Sequence, residues 1–137
     1  MFLNMETTLF TSSLLTLFYI FLALRIGYLR GSPVMKLIFR KETNGTEAQL
    51  DRNVRAHGNF IEYVPLFLIL LLLSEYNGIL SQVELVVASS IFCLGRFNHA
   101  ICFAFFEYNP FLRITGMLLT YAGLIYLSIS SLYYLFG

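Results

Sequence analysis

The sequence predicts an all-α protein, an integral membrane bundle of four helices. Three observations carry that prediction. Thr7–Leu24 and Ile114–Gly137 are uncharged runs of 18 and 24 residues, and a helix needs about 20 apolar residues to cross the hydrocarbon core of a bilayer. Charged residues make up 12% of the chain and hydrophobic ones 58%, whereas a soluble domain is about 25% charged. Two more apolar stretches, Tyr63–Ser74 and Leu85–Phe106, lie between the outer pair.

The first helix is expected over about 6–30. The start, Met1–Thr8, holds Glu6 and no Lys or Arg, unlike a secretory signal, so this span should stay in the mature protein. Gly31-Ser32-Pro33 ends it, and Thr43-Asn44-Gly45-Thr46 is rich in turn formers. Thr46 is a fitting N-cap for a long second helix, about 47–76,. Within that helix the uncharged stretch Tyr63–Ser74 is only 12 residues long, about 18 Å. It must draw on the polar segment Arg52–Glu62 to span a bilayer. Pro65 has no N–H to offer the carbonyl of Ile61, so a kink is expected beside Glu62.

Asn77-Gly78 closes the second helix, and Ser81 with Glu84 has capping-box spacing at the head of the third,. That third helix, about 81–106, contains Arg96, Asn98 and His99. Asn109-Pro110 separates it from the fourth, about 110–136,. The chain reads as one domain without internal repeats.

Charge placement gives orientation. The first loop and its flanks hold Arg25, Arg30, Lys36, Arg40, Lys41, Arg52 and Arg55, whereas the second holds Glu75 and Glu84. The positive-inside rule then puts the first and third loops in the cytoplasm and both termini outside. A net charge of +1 without a dense basic cluster argues against a nucleic-acid partner,. Cys93 and Cys102 are nine residues apart, on opposite faces of one helix, so buried free thiols are expected,. His57 and His99 are isolated and no Cys/His spacing suits zinc, so no metal is expected,. A transporter is disfavoured because no helix is broken by paired glycines.

The polar residues inside the helices are patterned. Arg52, Arg55, Asn59 and Glu62 follow spacings of three, four and three, which confines them to an arc of about 80° on a helix. Asp51 extends that stripe, and His57 falls nearly opposite. Arg96, His99, Phe103 and Glu107 form a second stripe, and Arg113 stands where the last helix begins. Interhelical hydrogen bonding is the plainer account of such residues, at about 0.6 kcal/mol each. It needs one Asn or Ser, however, not two arginines, a glutamate and an amide on one arc. Topology accounts for Lys36, Arg40 and Lys41, and the interface accounts for Tyr76, Tyr108, Tyr133 and Tyr134. The remaining stripes point to a site for a charged ligand.

The run from Arg52 to Pro65, with Arg55-Ala56-His57, Asn59, Glu62 and Pro65 at its core, resembles the signature of the MAPEG family, membrane proteins of eicosanoid and glutathione metabolism. Gly95-Arg96 with His99, then Arg113, is a second match, and the resemblance covers the whole chain, closest to the small bacterial branch. It implies a homotrimer that binds glutathione between subunits near the cytoplasmic face. By position, Arg55, Asn59 and Glu62 would hold the peptide, Arg96 and His99 would complete the pocket, and Arg113 would lie next to the thiol. An arginine of the first helix also contributes in relatives; Arg25 and Arg30 compete, with Arg30 favoured. The chain departs from relatives that carry a tyrosine where Phe103 stands, which leaves Tyr108 or Tyr121 to supply a phenol.

The expected function is therefore a membrane-bound glutathione transferase, with peroxidase-like action on lipid hydroperoxides. Glutathione would be the cosubstrate, and a lipophilic small molecule and membrane lipids its other partners. The rival is a non-catalytic lipid-binding or scaffolding protein, because the family also includes one. The retained Arg/Asn/Glu stripe tells against it, since a lipid groove has no need of that charge.

Overall fold

A computed structural model describes residues 5–40 and 44–137. Met1–Asn4 of the start expected to lack a signal, Lys41 of the basic loop and Thr43 of the turn lie outside the described residues. Among the described residues five helices follow in order: α1 Glu6–Arg30, α2 Pro33–Phe39, α3 Glu47–Tyr76, α4 Gln82–Phe105 and α5 Pro110–Phe136. All but α2 are long and apolar enough to cross a membrane. The protein is an all-α, multi-pass membrane protein.

Local chemistry sets the helix ends. Gly31, at φ 67°, turns the chain left-handed after α1, a conformation in which a Cβ is costly. Thr46 and Gln49 exchange side-chain and backbone bonds of 3.2 Å at the start of α3. Ser81 and Glu84 do the same for α4. Asn109 Oδ1 accepts from the Leu112 N–H at 3.1 Å, with Pro110 in the first turn, where its missing N–H costs nothing.

The bundle has two unlike ends. At one end α1 begins, α3 finishes and α4 begins, and acids gather there. Both oxygens of Glu75 accept backbone N–H bonds from Thr7 and Thr8, at 3.0 and 2.8 Å, so α3 caps the N-terminus of α1. Gln82 Nε2 adds a 2.6 Å bond to Thr7 Oγ1. At the other end α1 finishes, α3 begins and α5 begins, and the arginines gather there.

Between the ends, Phe67 stacks on Phe92 with ring centroids 3.8 Å apart, among Leu15, Leu22, Leu71 and Leu127. Helices α4 and α5 pack closest, because Gly95 and Gly116 face each other's backbones. A Cβ on Gly95 would lie 2.7 Å from the Thr120 nitrogen, and one on Gly116 would lie 2.7 Å from the His99 nitrogen. Small residues thus bring these two helices into contact, as in membrane bundles generally.

Helix α2 was not expected, since the segment reads as a basic loop. Met35 packs on Gly27 and Phe39 meets Tyr28 edge-on at 5.5 Å, which docks α2 against α1. Val34, Leu37 and Ile38 stay exposed on its other side.

Candidate functional site

A cavity of about 410 Å³ opens at the arginine end, where α3 begins, α4 finishes and α5 begins. Arg52 and Arg55 reach it from α3, Phe103 from α4 and Arg113 from the first turn of α5. Glu107 and Tyr108 complete the wall from the α4–α5 connection. Three arginines against one glutamate make it strongly electropositive. Arg113 lies over the Phe103 ring at 5.6 Å, and Phe103 touches His99 at 5.0 Å. The connection is pinned by the Cys102 thiol, which donates to the Asn109 carbonyl at 3.2 Å. Both cysteines are free and buried.

Beneath the cavity lies a second polar layer. Arg96 is 1% exposed. It donates to Thr120 Oγ1 at 2.9 Å and to the Asn59 carbonyl at 3.0 Å, with the Met117 sulfur at 3.9 Å. Its guanidinium also lies 4.8 Å from the Tyr63 ring. Tyr63 in turn meets Tyr121, with hydroxyls 3.4 Å apart. His99, also buried, stands within electrostatic reach of both Arg96 and Arg113. Arg96 and His99 of the second stripe therefore point inward, into the bundle, whereas Glu107 is exposed.

The α3 stripe points the other way. The buried residues of α3 are Asn53, Ala56, Phe60, Val64, Phe67, Leu71 and Ser74, which on a wheel centre about 120° away from the Arg52–Glu62 arc. Arg55 and Glu62 are exposed and Asn59 is half-buried. Asn59 Nδ2 bonds back to the Arg55 carbonyl at 3.3 Å. So the structure brings Arg52, Arg55 and Arg113 to one cavity, and it sets Asn59 and Glu62 beside Arg96 and Tyr63. His57 turns away from all of these and lies 4.8 Å from the Tyr19 ring.

The two first-helix arginines separate cleanly. Arg25 Nε donates to Asn53 Oδ1 at 2.8 Å and its NH2 to the Ala104 carbonyl at 3.0 Å, while its guanidinium covers Phe105. It ties α1, α3 and α4 together. Arg30, in the last turn of α1, is exposed. The phenol candidates separate too, because Tyr108 lines the cavity and Tyr121 is held deeper by Tyr63.

Sequence reading passed over three of these residues. Asn53 is 2% exposed and bonds Arg25 and the Gln49 and Ala104 carbonyls; a polar residue amid an apolar arc was the available signal. Tyr63 follows Glu62 directly and has the right arc to meet α5. Glu107 falls on the second stripe by spacing, but α4 stops two residues before it, and the connection carries it to the cavity wall.

A family model described as the MAPEG family matches residues 8–133. Inner membrane protein YecN of Escherichia coli K12 is 29% identical over 94 residues, which cover 67% of this chain and 68% of YecN. The protein of the same name from Escherichia coli O6:H1 matches equally. No solved structure matches the chain.

Proposed function

This chain belongs to the MAPEG family, and from that premise we propose that it is a membrane-bound glutathione transferase. The single observation that carries this reading is the convergence of Arg52, Arg55 and Arg113, with Glu107 as the one acid, on a cavity of about 410 Å³. Glutathione brings two carboxylates and one ammonium. A site for it needs more arginine than acid, and guanidinium forks grip carboxylates in bidentate pairs. The volume falls in the range of small-molecule sites.

The roles follow from position. Arg113 borders the cavity and stabilises the thiolate. A free thiol near pKa 8.5 needs about 2 kcal/mol of preferential stabilisation to ionise near pH 7, which one guanidinium and a hydrogen bond supply. Tyr108, on the same wall, offers that hydrogen bond. Arg55, Asn59 and Glu62 hold the peptide on the outward face of α3, with Arg30 reaching in from the end of α1. Arg96 and His99 act from below, where Arg96 fixes the Asn59 backbone and His99 backs Phe103.

An outward polar stripe at membrane depth needs cover, because hydrocarbon offers charged groups no partners. A homotrimer provides that cover, each α3 stripe facing a neighbour. With both termini outside, the arginine end opens to cytoplasmic glutathione while electrophiles arrive through the bilayer. The thiolate displaces a leaving group from an electrophile. With a lipid hydroperoxide it takes one oxygen and releases the alcohol, and a second glutathione reduces the sulfenate to disulfide and water.

The test is spectroscopic. Adding glutathione to the detergent-solubilised protein should raise ultraviolet thiolate absorbance near neutral pH, and a dinitrohalobenzene should then be conjugated. A folded protein that gives neither signal would leave only the non-catalytic lipid-binding reading.

A further inference from the structure

Among the described residues, helix α2 packs on no helix but α1. Its two anchors fix its depth. Met35 meets Gly27 and Phe39 meets Tyr28, both in or beside the last turn of α1. Four residues of α2 separate those contacts, against one residue of α1, so α2 crosses α1 instead of continuing it into water. Below that seat, Leu17, Ile20 and Leu24 are exposed and apolar. Their spacing puts them on the face of α1 that carries Gly27 and Tyr28. The seat of α2 is thus the upper end of an apolar face on a membrane-crossing helix.

The free side of α2 continues that face. Val34, Leu37 and Ile38 fall within an arc of about 100°, and all three are exposed, Leu37 at 82%. Lys36 stands about 150° from the middle of the arc. Arg40 follows the helix, turning the chain at φ 48°, and both cations are exposed. From Arg25 to Lys41 the sequence has five basic residues and no acid. The positive-inside rule explains a basic loop, but it does not explain an apolar arc within one. A seven-residue helix is also too short to hold its shape in water by its own hydrogen bonds.

We propose that α2 is an interfacial helix that recruits anionic phospholipid in the leaflet at the arginine end. Val34, Leu37 and Ile38 enter the upper acyl chains, and Lys36 and Arg40 hold the phosphate head groups. An apolar arc backed by cations is the pattern of helices that lie in the plane of a membrane. The surplus of positive charge selects anionic over zwitterionic lipid.

The chain has no tryptophan, so Leu37→Trp gives a single fluorescent reporter at a position with room for it. In vesicles of equal parts phosphatidylcholine and phosphatidylglycerol, lipids brominated high on the acyl chain should quench it, and aqueous acrylamide should not. Quenching by acrylamide instead overturns the proposal. Protection from both quenchers also overturns it, the result expected if a second copy of this chain covers α2. The unaltered protein supplies an independent reading. Native mass spectrometry in mild detergent should show phosphatidylglycerol binding more tightly than phosphatidylcholine. Lys36→Gln and Arg40→Gln should each lower that preference about fivefold. Equal affinity for the two lipids, or a preference that survives both substitutions together, overturns the proposal.

Discussion

Arg96 divides its donors among Thr120, the Asn59 carbonyl and Met117, so its first contribution is to stability. Thr120→Val keeps the shape of that neighbour and removes the acceptor, leaving a buried guanidinium N–H unpaired. A loss of about 1–3 kcal/mol is expected, read as a lower unfolding temperature in detergent. Arg113 should behave otherwise, because it is exposed and borders the cavity. Arg113→Lys keeps the charge but loses the planar fork; glutathione should still bind while the thiolate band and turnover fall. An unchanged band would pass the activating role to Arg30 or Arg55. Glu62→Gln removes the acid from the outward stripe, and glutathione should bind at least about tenfold more weakly, by equilibrium dialysis on protein that keeps its assembly. At this scale the stripes themselves were legible, since helical spacing alone puts Arg52, Arg55, Asn59 and Glu62 on one arc. Which way an arc faces was not. That depends on which other arc of α3 is more apolar, and Asn53 sits in the middle of the buried one.

The helices owe their placement to contacts of two kinds, close backbone approach and end capping. Gly95→Ala puts a Cβ 2.7 Å from the Thr120 nitrogen, which is backbone and does not yield. Helices α4 and α5 must move apart, at about 1–3 kcal/mol, and Arg96 loses alignment with Thr120 in the process. Glu75→Ala frees the Thr7 and Thr8 N–H groups at the head of α1, a capping loss of about 1 kcal/mol. Hydrogen exchange at those two amides should accelerate while exchange in the α4–α5 core is unchanged. The capping boxes at Thr46 and Ser81 were readable because each closes within three residues. Glu75 was not, because its partner lies 68 residues away and an acid at a helix end looks like any loop charge. Helix α2 escaped for a different reason: seven residues are too few to show a period, and its basic neighbours already had an explanation in topology.

Taken as a whole, the molecule has one polar stripe turned inward on α4 and one turned outward on α3. The outward stripe is the physical ground on which a trimer is proposed, and native mass spectrometry in mild detergent should then find three copies. A monomer that still binds glutathione would refute that assembly. The positive-inside rule predicts that the arginine end is cytoplasmic, so a reporter fused at Gly137 should be active only outside the cytoplasm and one in the first loop only inside. The outer two spans were plain from apolar run length, and the middle two needed the polar segment Arg52–Glu62 and the polar residues of 96–99 to be read as part of a helix. The cavity was not plain, because it is assembled from three helix ends, and Glu107, which spacing puts on the second stripe, reaches it from the connection beyond α4. The most direct measurement is calorimetric titration of the solubilised protein with glutathione, beside an Arg55→Ala variant. Saturable binding that the variant loses, with the assembly intact, is the result expected. No saturable heat from the unaltered, folded protein, or undiminished binding by Arg55→Ala, would contradict a glutathione site at the arginine end.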